Sequence, residues 1–343
     1  MNSRGEAFRP VGGFFGLALS EVASISDSVW NTWTKGGKVV AARTARGAFA
    51  HLIAYLQPQR VWLPAYICRE MASAVNPALL RFYPLDDQLS PDCSAIRDGV
   101  KTGDLVVAVD YFGSPPAPSF RRLATERPDV EWLEDRAQAL WTVGDPWGKW
   151  QLYSPRKLLG VPDGGLLVRD ETVDGPEQIT GPVDAAIAEP EIMRFEDEQG
   201  SDNAAWYAAF RAREAALTAE ALPSSRLTRS LLERIAIGPL VALRKRNHAL
   251  ISESLSSLAA WPAREDAGAP FGFVVSVDDA GALAARLAAE RFFCARHWAI
   301  LPSDADVFAR EHALSRRLLT LPCDHRYEER DIKRLVEAVA RLI

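Results

Sequence analysis

The stretch from Val130 to Val168 concentrates the residues best suited to chemistry. Asp135 closes a short apolar run that reads as a strand. Gln138 stands three residues later, Lys157 follows Ser154-Pro155-Arg156, and Gly164-Gly165 precedes a second apolar run. A carboxylate at a strand's C-terminal end, held against a pyridine nitrogen, would keep that nitrogen protonated by opposite charge. A lysine can attack an aldehyde to form an imine once it is unprotonated, a state that burial or a cationic neighbour favours. Arg156 is adjacent to Lys157, and Leu158, Leu159 and Val161 make its surroundings apolar. Ser154 could donate its hydroxyl to a phosphate. Each group also has a plain structural reading: Asp135 as a helix N-cap, Lys157 as a solvated surface charge.

Upstream, Thr44 precedes a helix whose first turn is small, Ala45-Arg46-Gly47-Ala48. Free N–H groups at a helix start favour an anion, although Thr44 could equally cap the helix with no ligand. Taken together, an anion-binding turn, an acid at a strand end, a hydroxyl and a lysine form the set that pyridoxal phosphate (PLP) requires: a phosphate cradle, a partner for the pyridine nitrogen and an imine lysine.

These residues need a scaffold of alternating strands and helices. Helices are predicted over Arg46–Leu56, Arg69–Val75 and Ser119–Glu126, and strands over Arg60–Leu63, Leu80–Tyr83, Leu105–Val109, Val130–Leu133 and Leu166–Val168. The run LVVAV at Leu105–Val109 suits a strand buried on both faces. Such alternation implies a mainly parallel sheet covered on both sides, with its ligand at the strands' C-terminal ends. Val173–Asn203, rich in Pro, Gly, Asp and Glu, reads as a long irregular connection. Ala204–Ala221 and Leu227–Leu258 read as helical, with Pro223 and Pro239 as interruptions. A strand at Phe271–Val277 and helices at Ala280–Glu290 and Glu329–Leu342 suggest a second unit. The division predicted is a large α/β/α domain over 1–235, with an N-terminal arm, and a smaller C-terminal α+β domain over 236–343.

Composition excludes several classes. A chain of 343 residues with 48% hydrophobic residues suits a large domain plus a smaller one. A net charge of -5 gives no basic field for nucleic acid. No apolar run reaches the length of a membrane span. The N-terminal apolar stretch after Arg4 and Arg9 is broken by Gly12, Gly13 and Gly16 and closed by Glu21, so it reads as a mature, cytoplasmic N-terminus. Cys68, Cys93, Cys294 and Cys323 are scattered, which fits a reducing compartment and no metal site.

The ordered motifs resemble the DegT/DnrJ/StrS family of sugar aminotransferases, PLP-dependent enzymes of fold type I. Glu134-Asp135-Arg136-Ala137-Gln138-Ala139 resembles the family's E-D-x-A-Q-A. Ser154-Pro155-Arg156-Lys157 with Gly164-Gly165 resembles S-x-x-K…G-G, and Thr44-Ala45-Arg46-Gly47-Ala48 resembles the phosphate loop. Pro64-Ala65-Tyr66, Tyr111-Phe112-Gly113, and Leu321-Pro322 followed by Asp331-Ile332 resemble three further elements, in the family's order. There are departures. Cys68 stands where the family has an aromatic that stacks on the cofactor, so either Cys68 packs on the ring or Tyr66 supplies the aromatic face. Asp110 stands where a His often precedes the Y-x-G. Leu222–Leu227 occupies the region of the family's partner-subunit Asn, with Ser224, Ser225 or Arg226 as its replacement.

The resemblance implies roles. Lys157 would hold PLP covalently and shuttle the proton. Asp135 would pair with the pyridine nitrogen, and Gln138 would sit near the ring's phenolic oxygen. Ser154, Thr44 and the backbone of Ala45 and Arg46 would hold the phosphate, with Cys68 beside the ring. The activity implied is transfer of an amino group from a donor, glutamate, to a nucleotide-linked keto-sugar by a ping-pong route through PLP and pyridoxamine phosphate (PMP), in a homodimer. A sugar dehydratase or lyase on the same fold is the alternative, disfavoured because the family's dehydratases replace the lysine with His. A non-catalytic cofactor-binding protein is a third reading, which needs neither Asp135 nor Lys157. His297-Trp298 and Asp324-His325-Arg326-Tyr327 could reach a sugar hydroxyl or a donor carboxylate, Arg326 by its fork geometry, or could simply pack.

Overall fold

A computed structural model describes residues 11–13, 25–197, 200, 203–262 and 268–343. Arg4, Arg9, Gly16 and Glu21, on which the N-terminal reading rests, lie outside the described residues. Seven strands form one sheet: β1 (Lys38–Ala42), β2 (Val61–Pro64), β3 (Leu80–Tyr83), β4 (Leu105–Val109), β5 (Glu131–Asp135), β6 (Trp150–Tyr153) and β7 (Gly165–Arg169). Their order is β1-β7-β6-β5-β4-β2-β3. The β3–β2, β2–β4, β4–β5 and β5–β6 pairs are parallel, and β7 runs antiparallel to both β6 and β1. The mainly parallel sheet is therefore present, with one opposed strand.

Helices α1 (Val29–Thr34), α2 (Ala45–Leu56), α3 (Arg69–Ala72), α4 (Cys93–Gly99) and α5 (Pro118–Glu126) come in this part of the chain. Both sheet faces are covered. Leu167 joins one core with Phe49, Leu52 and Leu133, while Leu166 and Val168 on the opposite face join another with Trp33 and Leu232. All five residues of β4 are buried, and burying each of its Val and Leu side chains contributes about 1.5–3 kcal/mol.

The connection after β7 departs from expectation. Within Val173–Asn203 the chain forms a 3-10 turn at Ala185–Ala188 and helix α6 (Glu189–Glu196). Pro190 lies in the first turn of α6, where its missing N–H costs nothing, and Glu189 and Glu191 suit the positive helix start. Helix α7 (Asn203–Ala216) ends before Ala221. Residues 217–222 instead run across the start of α2, tied by Arg43 N–H to Leu222 O at 2.8 Å. The helical stretch expected over Leu227–Leu258 divides into α8 (Arg226–Leu232) and α9 (Ile237–Leu255). Pro239 falls in the first turn of α9 rather than inside it.

Beyond α9, β8 (Phe273–Ser276) pairs antiparallel with β9 (Leu318–Leu321). Around them lie α10 (Ala280–Ala289), α11 (Ala309–Arg317) and α12 (Glu329–Leu342). Ile251, Phe273, Leu283, Leu319 and Leu335 share a third core. Val11–Gly12 pairs in parallel with Phe292–Phe293, placing the start of the described chain against this unit. No helix among the described residues is long and apolar enough to cross a membrane.

Candidate active site

The double glycine before β7 explains why the phosphate-loop motif and the lysine motif come together. Gly164 adopts φ +116, and a Cβ on Gly165 would lie 2.2 Å from the Ala45 nitrogen. Only glycine lets β7 begin this close to the start of α2. Thr44 bridges to Gly164 there. Its hydroxyl oxygen accepts the Gly47 N–H at 2.9 Å, so it does cap α2, and its own O–H is left to donate. The Arg46 N–H has no protein acceptor among the described residues, and Arg46 Nε is buried without a partner.

Asp135 ends β5, buried at 4% exposure. No helix follows it, so the N-cap reading is not realised. Among the described residues its side chain takes one hydrogen bond, from the Ala137 N–H at 2.9 Å. Burial pushes the Asp135 carboxyl up, opposed by the charge of Lys157 and by the Ala137 N–H. Such a buried carboxylate lacks a bonded cation. Gln138 is also buried. Its Oε1 accepts the Phe112 N–H at 2.9 Å, while its Nε2 has no partner among the described residues. That donor is the kind of orphan a bound ligand satisfies.

Lys157 lies on a short 3-10 turn, Pro155–Lys157, directly after β6 and Ser154. It lines a cavity of about 730 Å³ and is exposed to it rather than buried. Its amine has no hydrogen bond or ion pair among the described residues. The cationic neighbour expected in Arg156 is instead neutralised by an ion pair with Glu214. Leu158, Leu159 and Val161 are buried beneath the turn as expected. Ser154 is buried, and its hydroxyl makes no cap hydrogen bond to the turn it precedes and has no partner among the described residues.

Cys68, also buried, is within electrostatic reach of both Lys157 and Asp135: burial pushes its thiol up, and the lysine charge pulls it back. Tyr66 is engaged elsewhere. Its hydroxyl donates to the His297 carbonyl, and its ring packs against Tyr111 at 5.9 Å and Trp298 at 5.6 Å. Of the two candidates for the ring face, Cys68 is the one beside the lysine. His297 itself bonds Thr320 Oγ1 through Nδ1 at 2.9 Å, and burial with the nearby Lys157 pushes its imidazole down to about 3.

The remaining candidates are spoken for. Asp110 is buried beside Glu134, Arg136 and Trp147. Burial and the Glu134 charge push its carboxyl well up, while Arg136 binds Glu134 at 2.6 Å. Ser225 caps α8 and holds Asp163 through its N–H at 2.7 Å and its hydroxyl at 2.8 Å. It therefore fastens the turn before Gly164 within this chain. Arg326 is paired to Asp324 through two bonds of 2.8 and 2.9 Å, both residues lining the cavity. Gly12 and Gly13 also line it. Two residues that sequence reasoning missed are Asp163 and Arg244. Neither stands in a recognisable motif, and Arg244 was one of many cations on a helix.

No sequence-family profile and no curated protein matches the chain. Solved structures do. DesV of S. venezuelae is 16% identical, with a TM-score of 0.64 over 94% of this chain and 90% of its own. A DegT DnrJ EryC1 StrS aminotransferase from Brucella abortus is 15% identical, with a TM-score of 0.62 over 91% of this chain and 87% of its own. Spr1654 of Streptococcus pneumoniae, assigned as a sugar aminotransferase and solved in PLP and PMP forms, is 12% identical, with a TM-score of 0.67 over 97% of this chain and 100% (PLP form) or 97% (PMP form) of its own. At such identities the likeness is one of fold: the chain has the fold type I architecture of these structures.

Proposed function

We propose that the protein is a PLP-dependent sugar aminotransferase of the DegT/DnrJ/StrS type. The observation that carries this reading is the pairing of Asp135 and Lys157. One is a buried carboxylate without a bonded cation, the other an amine without a partner, and both stand at the C-terminal edge of one sheet. The unpartnered Gln138 Nε2 supports it. When bound, PLP supplies an aldehyde for an amine and a ring that withdraws electrons.

The chain's own residues have definite work. Lys157 Nζ would hold the cofactor, and its amine could move a proton at the substrate. Asp135 would keep the pyridine nitrogen protonated by its charge. Gln138, with its unpartnered Nε2, would hold the ring's oxygen side. Ser154, Thr44 and the first N–H groups of α2, from Ala45 and Arg46, would hold the phosphate. Cys68 would lie beside the ring. The amino donor is glutamate and the acceptor a nucleotide-linked keto-sugar, taken in turn by a ping-pong route. The protein acts as a cytoplasmic homodimer, with its domains divided at 235/236.

Purified protein mixed with PLP should turn yellow. Borohydride should then fix the cofactor on Lys157, as read by peptide mass, and glutamate should bleach the unreduced protein. A chain that takes up no PLP would sink this function.

A further inference from the structure

A second cavity, of about 480 Å³, lies between the loops after β3 and β4 and the helix α9. It shares no lining residue with the cavity of Lys157. Phe112 stands between the two: it lines the second, and its ring lies 6.0 Å from that of His297, which lines the first. One wall of the second cavity is a stripe of α9. Lys245, His248 and Ser252 follow at helical spacing and face the space together. None of these three side chains has a hydrogen bond or ion pair among the described residues. Lys245 Nζ rests on the Trp141 ring, 5.2 Å from its centre, and the His248 ring packs on Phe273 at 5.0 Å. Much of the remaining wall is aromatic. The Trp261 and Phe112 rings lie 5.8 Å apart and 33° from parallel. Trp261 is fixed there, since its Nε1–H donates to the Asp87 carbonyl at 2.6 Å.

Charge decides what such a space can hold. Among the described residues that line it, Lys245 is the one cation and there is no carboxylate. Burial pulls the His248 imidazole down from its ordinary value, so at pH 7 it offers a hydrogen bond and no second charge. A single negative charge is matched there, and a dianion is not. The aromatic wall suits a ring, and the volume falls in the range that takes small molecules. We propose that this second cavity binds an aromatic carboxylate, with its ring against Trp261 and Phe112 and its charge at Lys245. The assignment does not depend on what reaction Lys157 performs.

Calorimetric titration of the full chain with 2-naphthoate tests it, with 2-naphthamide as the uncharged match. Wild-type protein should bind 2-naphthoate with a dissociation constant below about 1 mM. Lys245→Gln should weaken that binding roughly 3- to 5-fold, the range of an exposed charge pair, and leave 2-naphthamide binding unchanged. Trp261→Leu should weaken both roughly 5- to 10-fold. Ser252→Phe fills the space from the helix side and should abolish both; it serves if Trp261→Leu does not melt cooperatively. Added PLP should leave the binding in place, because Lys157 lies in the other cavity, and a chain that takes up no PLP leaves this test standing. No binding of 2-naphthoate to wild-type protein overturns the proposal, as does equal binding by wild type and all variants. Displacement of the probe by PLP would put it beside Lys157 and would overturn the proposal as well.

Discussion

Lys157 illustrates what spacing alone conveys. As one lysine it is an ordinary surface charge; set 22 residues after Asp135 and three after Ser154, it falls at the end of the strand beside Asp135's own. Because its side chain is exposed to the cavity and makes no protein bond, Lys157→Ala should leave the melting temperature nearly unchanged, within roughly 0.5 kcal/mol. It should still abolish turnover and the yellow colour. A coloured, active variant would remove the lysine from the mechanism. The places of Asp135, Gln138 and Ser154 were legible for the same reason: each sits within a few residues of a strand end, where local pattern fixes direction. Asp163 and Arg244 were not. Asp163 meets Ser225 across 62 positions and Arg244 meets Leu158 across 86, and no local pattern encodes such a meeting. The cationic neighbour assigned to Lys157 failed for a related reason, since Glu214, which neutralises Arg156, lies 58 positions away.

At the scale of elements, Leu80–Tyr83 and the continuous apolar run Leu105–Val109 match to the residue. Strands β1, KVVAA, and β6, WQLY, were not read; in β6 Gln151 is buried, its Nε2 bonding the Gly148 carbonyl. Helix α6 escaped because Pro190 and its acids read as loop, when both are features of a helix start. That helix matters to the site. Its Glu191, 2% exposed, takes two bonds from Arg213 of α7, and Arg213 also donates to the carbonyls of Ile187 at 2.7 Å and Pro162 at 3.3 Å. Pro162 lies five residues after Lys157, so the α6–α7 pair clasps the lysine turn from outside. Removing one partner of a buried pair costs more than removing both. Arg213→Met should therefore destabilise the protein by about 3–5 kcal/mol in urea unfolding, whereas the double variant Arg213→Met/Glu191→Met should recover most of that loss. A double variant no better than the single one would mean that the carboxylate is not left stranded.

Across the whole molecule, the cavity exists because the C-terminal unit closes over the sheet's edge, an arrangement no stretch of sequence specifies. Ser303 Oγ donates to the Ala65 carbonyl at 2.9 Å across 238 positions, and the Leu85 N–H donates to Glu311 at 2.7 Å across 226. The His297 carbonyl receives the Tyr66 hydroxyl, and its ring sits edge-on to Phe112 and Phe271. Closure thus holds an imidazole, pushed down to about 3, where it cannot keep a proton at ordinary pH. The unfolded chain binds that proton near pH 6.5. Below this value the unfolded state carries more protons than the folded one, so stability falls as pH falls, throughout the window from about 6.5 to 3. Full burial would cost about 1.4 kcal/mol per pH unit. The ring is only half-buried, and screening reduces the expected loss to about 1 kcal/mol between pH 7 and pH 5. Urea unfolding at the two pH values measures it. In His297→Gln the drop should be smaller than in wild type by that amount. An equal drop in both proteins would mean that the closed cleft lets His297 take up its proton, and that acid acts on the fold through other groups.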